Sequence, residues 1–378
     1  MVELPSSTNT VSVSVIDPGV RLDLPASWFV VPQIKGHDRL IVPSYSFLIN
    51  HPSGQKILFD LSLRTDFENL APAVAQRLTD PTKPAKITAP GDVSKILVEN
   101  GVQLDEISAI IWSHFHFDHT GNPLLFPQST TLVVGPGFTT SHGPGYPAKP
   151  DSPVLSSDWR GRKLQEMDFD NDPNGTLSIG KFKAIDYFGD GSFYLLHTPG
   201  HCPDHMCGLA RVRPDSFVLM GGDFAHHPGA FRPTELNPIP DIVRPNPLPR
   251  NPRYASICPG DIFESLGHQP GNTCNPFYRP TEEFNHDLDQ CNATIEGLGE
   301  FDENDDVLVV IAHDHSLLPI FTGEEDGDQG WLFPKRSLDS WKEADLKNRG
   351  MWRFLGDFEE AVADLCNINW VGICCTWI

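Results

Sequence analysis

The segment SHFHFDHTG, residues 113–121, sets His114, His116, Asp118 and His119 within six positions, directly after the apolar run ISAIIW. Neutral imidazoles and carboxylates are borderline ligands that suit Zn2+, with iron or manganese as substitutes. With 15 histidines in 378 residues, such a pattern arises by chance in only on the order of a few chains per thousand. On an extended segment His114 and His116 point one way while Phe115 and Phe117 point the other; one turn later, Asp118 and His119 face a second position. One short segment can therefore serve two metals, each of which still needs ligands. FYLLHTPGHCPDH supplies His201 in a Pro-Gly turn, FVLMGGDFAHH supplies Asp223 after two glycines, and VLVVIAHDHS supplies His313 after an apolar strand. His205 and His315 are rivals of His201 and His313, and position at the strand end favours the earlier member of each pair.

These residues meet only if several strand ends share one edge. Strands are expected at 10–16, 27–34, 39–49 and 56–61, the last two joined as a hairpin through the turn formers of NHPSGQ. Others follow at 107–112, 130–134, 181–188, 193–197, 206–212, 217–220 and 307–312. Helices fit about 91–100 with Gly101 as stop, 282–297 with Thr281 as cap, 339–347 and 351–364. Grouped strands with single helices between them imply packed sheets with helices outside. Residues 135–180 and 237–261 are so rich in Gly and Pro that neither is expected to form regular elements. Loops this long tend to be functional walls, and Phe138, Tyr146, Trp159, Phe231 and Tyr254 are the aromatic residues expected to line a pocket for a flat ring. With no repeat and no linker, residues 1–378 read as one domain with insertions near 135–180 and 237–280. His197 reads as a hydrogen-bonded core residue; His37, His51, His142, His268 and His286 read as surface or loop groups.

The formal charge is −22, from 28 Lys+Arg against 50 Asp+Glu, a balance that repels polyanions and argues against nucleic-acid partners. Small neutral or cationic substrates fit it better. No run approaches the ~18 apolar residues of a membrane span, and MVELPSSTNT has no signal-peptide character, so a cytoplasmic protein without a membrane partner is expected. Eight cysteines without a CxxC pair imply reduced thiols. Cys202 and Cys207, flanking the TPGH turn, read as packing residues rather than nucleophiles. The sequons at Asn174 and Asn292 and the terminal CTWI, in which Thr and Trp replace the aliphatic pair of a prenylation box, carry little weight. A homodimer is left open.

The ordered set HxHxDH, TPGH, GGD and AHDH over about residues 39–315 resembles the metallo-β-lactamase superfamily. The resemblance implies a mixed α/β fold, a four-layer αββα sandwich with a metal cleft on one edge. It implies that His114, His116 and His201 hold one metal, that Asp118, His119 and His313 hold a second, and that Asp223 bridges them. Two Zn2+ are the expected cofactors, with Fe or Mn as alternatives. Asp60, at the end of KILFD, matches a family carboxylate that orients ligand imidazoles.

Two such ions sharing a water lower its pKa from about 15.7 towards neutrality, so a bridging hydroxide is the expected nucleophile, with Asp118 steering its proton towards the leaving group. No GxSxG elbow offers a serine instead. Lactonases that open acyl-homoserine lactones share the ligand set but commonly carry Tyr three residues after the bridging Asp, where this chain has His226. A histidine can donate to an oxyanion or protonate an amine, which fits lactam or carbamate opening at least as well as lactone opening. GVRLDLPASWFVVPQIKG and GGDFAHHPGAFRPTELNPIP look like the fungal branch of lactonase-like hydrolases, which includes enzymes opening benzoxazolinone-type lactams. The resemblance thus implies opening of a small lactam, cyclic carbamate or lactone, a xenobiotic or secondary metabolite, and hence a role in detoxification. A thioesterase or glyoxalase-type hydrolase and a mononuclear iron sulfur dioxygenase are the alternatives.

Overall fold

A computed structural model describes residues 2–171, 175–268, 271, 273–324 and 329–364. The sequon at Asn174 and the CTWI terminus lie outside them. Two six-stranded sheets form the centre. The first runs, in spatial order, Ser12–Ile16, Ser46–Asn50, Lys56–Phe59, Ile107–Ile111, Thr131–Val134 and Leu164–Glu166. The second runs Leu177–Ile179, Phe182–Asp186, Phe193–His197, Met206–Arg213, Ser216–Met220 and Val307–Val310.

Period-two alternation explains how the layers stack. Val13, Phe47, Ile57, Phe59 and Ile111 of the first sheet share a buried cluster with Leu195, Met206, Val218 and Val310 of the second. The intervening Leu48, Leu58 and Ile110 face the other way, onto Val93 and Leu97 of the helix Val93–Glu99. Leu196, Leu209, Leu219 and Val309 likewise turn outwards onto Cys291, Ile295 and Leu298 of the helix Leu288–Asp302. The result is the expected αββα sandwich. Each fully buried Leu, Ile, Val or Phe contributes about 1.5–3 kcal/mol relative to exposure, so both sheet faces hold the cleft edge in place.

Several elements differ from expectation. Residues 39–49 do not form one strand: Arg39–Val42 joins a three-stranded sheet with Arg21–Pro25 and Lys86–Thr88, whereas Ser46–Asn50 forms the hairpin with Lys56–Phe59. Pro43, without an N–H to give a ladder, marks the change of sheet. Residues 27–34 hold only the short strand Val30–Val31 after a 3-10 turn at Ala26–Trp28, and Pro32 follows at once. The helix expected at 282–297 begins later, at Leu288, because Asp287 rather than Thr281 caps it by accepting the Gln290 N–H at 3.0 Å. Residues 339–347 divide into a 3-10 turn at Leu338–Ser340 and the start of a helix at Leu346–Met351; 351–364 begins as the 3-10 segment Arg353–Phe358. The Gly/Pro-rich 135–180 region is not wholly irregular, since it contributes the edge strands Leu164–Glu166 and Leu177–Ile179. No helix among the described residues is long and apolar enough to cross a membrane.

Candidate metal centre

The strand Ile107–Ile111 ends three residues before His114, and Ser113 then bonds across to the second sheet, its carbonyl accepting the Met206 N–H at 2.8 Å. This places His114 and His116 over the sheet edge, and the short helix Phe117–Thr120 turns Asp118 and His119 back beneath them. His201 follows the strand Phe193–His197, Asp223 follows Ser216–Met220, and His313 follows Val307–Val310. All seven residues meet there.

The contact atoms are specific. His114 Nε2 and His201 Nε2 each lie 2.9 Å from His116 Nδ1. Asp223 Oδ2 faces this group, 3.7 Å from His114 Nε2 and 3.6 Å from His201 Nε2. Its other oxygen, Oδ1, lies 3.1 Å from His119 Nε2 and 3.0 Å from His313 Nε2. Asp118 Oδ2 stands 3.4 Å from His313 Nε2 and 3.9 Å from His119 Nε2. One carboxylate thus divides its two oxygens between two sets of imidazoles.

The opposite ring nitrogens fix which lone pairs point inwards. His119 Nδ1 donates to Asp60 Oδ2 at 2.9 Å, His313 Nδ1 to the Pro43 carbonyl at 2.7 Å, and His201 Nδ1 to Asn285 Oδ1 at 3.1 Å. His114 Nδ1 is 3.0 Å from Ser113 Oγ, whose hydroxyl donates to Asp60 at 2.8 Å. In the neutral ring each of these Nε2 atoms is then the unprotonated nitrogen, directed at the others or at a carboxylate. His119 Nε2 and Asp223 Oδ1 are buried and, although 3.1 Å apart, make no well-aligned hydrogen bond, the condition of atoms that a cation satisfies. The donor set and these orphaned atoms fit a pair of divalent ions, with His114, His116, Asp118, His119, His201, Asp223 and His313 as the residues able to hold them.

Electrostatics of the metal-free chain agree. Burial, then the neighbouring His119, depresses His114 well below the usual histidine range, and burial takes His116 to about 4. Burial also depresses His201. His119 is raised, burial being outweighed by Asp223, Asp60 and Asp118; His313 is raised because Asp223 and Asp118 outweigh its burial. Asp223, whose burial would raise it, is held well below the carboxylate range by His119, His313 and His226. Protons on the Asp118 side compensate charge that a metal would otherwise balance.

Geometry also separates the rivals. His205 accepts the Asp223 N–H at Nε2, 3.0 Å, and engages Thr198 through Nδ1, so both ring nitrogens are spent holding the GGD turn from behind. A Cβ at Gly222, whose φ is +51°, would stand 2.8 Å from His205 Nε2, which explains the second glycine. His315 turns away to Asp357. His226 comes to the centre: its Nε2 lies 3.3 Å from Asp223 Oδ2, with the ring on Phe29 at 4.6 Å and parallel to His313. Burial pushes the Cys202 thiol well up and Cys207 to about 12; Cys207 donates to the Gly221 carbonyl and packs behind the turn, whereas Cys202 Sγ lies 3.8 Å from His116 Nε2, within reach of His114, His116 and His201. His197 is hydrogen-bonded to the Pro203 carbonyl as expected, but it is half-buried at the strand end rather than in the core. His37, expected on the surface, is buried against Tyr278.

Over the cluster lies a cleft of about 710 Å³. Its walls are not the expected aromatics. Phe138, Phe231 and Tyr254 are buried in the core and Trp159 packs there as well, whereas Trp28, Phe29, Phe117 and Phe284 line the cleft with Leu22, Leu24, Leu40, Val42, Val74 and Leu78. Phe115 and Phe117 both line the cleft but pack on different sides, Phe115 on His142 at 4.0 Å with the first sheet's outer cluster and Phe117 with the second sheet's outer cluster. Sequence reasoning missed Ser113, Asn285 and the Pro43 carbonyl. Ser113 adjoins the motif and was findable; nothing in the sequence marks the other two.

A four-layer αββα sandwich with a His/Asp cluster on its sheet edge defines a class of metal-dependent proteins. The chain belongs to the metallo-β-lactamase superfamily, whose model matches residues 40–229. It is 40% identical over 376 residues to "Gamma-lactamase FDB1" of Fusarium pseudograminearum, covering 96% of this chain and 87% of that protein. It is 46% identical over 239 residues to "Gamma-lactamase MBL2" of Gibberella moniliformis, 63% of this chain and 97% of that one. A crystal structure of a B. thuringiensis AiiA mutant with N-decanoyl-L-homoserine bound at the active site shares the fold with TM-score 0.50 and 18% identity, covering 86% of this chain and 98% of that one.

Proposed function

We propose that the protein is a dinuclear metal-dependent hydrolase that opens a small lactam or cyclic carbamate ring, with a lactone as the neighbouring chemistry. The observation that carries this reading is the divided carboxylate of Asp223, with His114 and His201 facing Oδ2 and His119 and His313 facing Oδ1. Its preference for a lactam is supported by the two γ-lactamases to which the chain is similar. Two ions, Zn2+ in this reading with Fe or Mn as chemical alternatives, supply Lewis acidity towards a carbonyl and towards water.

The chain's own residues do the rest. Phe29, Trp28 and Phe284 hold a flat ring against the cleft wall. His226, on the open side of the cluster, donates from its ring to the oxygen that gains charge as the ring carbonyl becomes tetrahedral. Asp118 accepts the proton of the attacking water and passes it to the departing amine. Asp60 and Ser113 keep His119 and His114 in the tautomers that face inwards. A xenobiotic or secondary metabolite is the substrate class, and detoxification the role.

The zinc-loaded protein, screened against γ-lactams, cyclic carbamates, lactones and thioesters with product mass measured, should add one water to a lactam or carbamate fastest. A thioester preference would replace this reading with a thioesterase. One iron per chain with oxygen consumption and no hydrolysis would replace it with a dioxygenase.

A further inference from the structure

Beside the metal centre lies a second histidine cluster. Asp357, in the 3-10 segment Arg353–Phe358, receives His227 Nε2 on Oδ2 and His315 Nε2 on Oδ1, each at 3.0 Å. These contacts span 130 and 42 residues of sequence. His37, His227 and Asp357 are close enough to suggest another metal site. The tautomer of His227 opposes it: Nδ1 accepts the Gly229 N–H at 3.0 Å, so in a neutral ring Nε2 carries the proton and is a donor, not a ligand. Gly229 permits that bond, since a Cβ there would stand 2.9 Å from His227 Nδ1.

The imidazole of His227 is boxed by His37, Tyr278 and Phe354, with ring centroids 4.9, 5.1 and 5.5 Å away. The backbone at His227 is extended, φ −154° and ψ 137°, so neighbouring side chains leave on opposite sides. One side carries His226 into the metal centre; the other carries His227 to Asp357. Clamping His227 holds the stretch of backbone from which His226 leaves on the opposite side. The same carboxylate holds His315, two residues after His313, so it ties the Asp223–His226 loop to the loop that carries His313.

We propose that Asp357 is a positioning residue: by clamping His227 and His315 it sets the orientation of His226 over the metal centre. This rests on the hydrolase reading for its catalytic consequence but not for its geometry. Two arms separate them. In metal-free full-length protein labelled with 15N-histidine, His227 should show the Nε2–H tautomer, and Asp357→Asn should shift the His226 ring resonances. Unmoved His226 resonances would overturn the proposal. In zinc-loaded protein acting on the fastest lactam of the panel, Asp357→Asn should lower kcat about tenfold with KM within about twofold and zinc content unchanged. On a His226→Phe background it should add no further loss. An equal loss on both backgrounds would overturn the proposal, because Asp357 would then act without His226. If no panel compound turns over, the hydrolase reading fails and the resonance arm alone decides the clamp. Asp357→Glu, keeping the carboxylate, should recover part of kcat; no recovery with intact folding would also count against it.

Discussion

Two groups of histidines, each gathered about one aspartate, sit side by side in this molecule and differ in what their atoms are doing. Around Asp223, imidazole nitrogens face each other and a carboxylate, and His119 Nε2 and Asp223 Oδ1, 3.1 Å apart, are buried without a well-aligned hydrogen bond. Around Asp357, N–H groups point at the carboxylate, and His227 has both ring nitrogens hydrogen-bonded. Residue type is the same in both, although His315 and Asp357 are less deeply buried than the residues around Asp223. The direction of protons distinguishes a place made for cations from one made for cross-linking, and that direction is set by partners one shell out: Asp60, Asn285 and the Pro43 carbonyl in the first case, the Gly229 N–H in the second.

The contrast is broken most severely by removing ligands. His116→Ala and Asp223→Ala should each lower hydrolysis by at least about a thousandfold while leaving the circular dichroism spectrum intact, because neither removes core. Turnover surviving in both would dissolve the distinction between the clusters. Metal dependence of stability sharpens it next. Zinc at a hundred times its Kd should stabilise the chelated protein by about 2.7 kcal/mol, seen as a rise in Tm; Asp223→Ala should lose that gain and Asp357→Asn should keep it. Asp60→Asn should weaken zinc about 10- to 100-fold in competition with a chromophoric chelator, and an unchanged affinity would deny Asp60 its hold on His119.

The smallest effect concerns acid. Partial burial would raise the Asp357 carboxyl, but His315 and His227 outweigh it and hold the group below the usual range. A depressed folded value contributes stability fully above the unfolded pKa of about 3.9 and loses it as pH falls further. The Tm advantage of the native chain over Asp357→Asn should therefore narrow below about pH 4. A constant gap down to pH 3 would mean that the carboxylate charge plays no part in the clamp.

The metal centre was legible because its chemistry is local: four of its seven residues share one segment, and the other three each end an apolar strand whose period of two is plain. His201 over His205 could be favoured from pattern, but the reason, that His205 spends both nitrogens on the GGD turn, is tertiary. The cleft wall was not legible. Phe138 and Tyr254 carry the same composition signal as Phe29 and Phe284, and only packing decides which rings go inside. Residues 39–49 misled for a related reason: one apolar run serves two sheets, and Pro43 marks a change of sheet rather than an interruption. His37 and Asp357 had no local signal at all, because their partners lie far away in sequence.

The apolar wall of the cleft is drawn largely from Arg21–Pro25, Arg39–Val42, the helix Pro72–Thr79 and the stretch before Asp287, whereas the seven histidine and aspartate positions stand at the ends of the two central sheets. Wall and floor therefore belong to different parts of the architecture. Mutation can recut the wall for a ring of another shape without disturbing the floor, so descendants of one such gene can diverge in diet while inheriting the same chemistry.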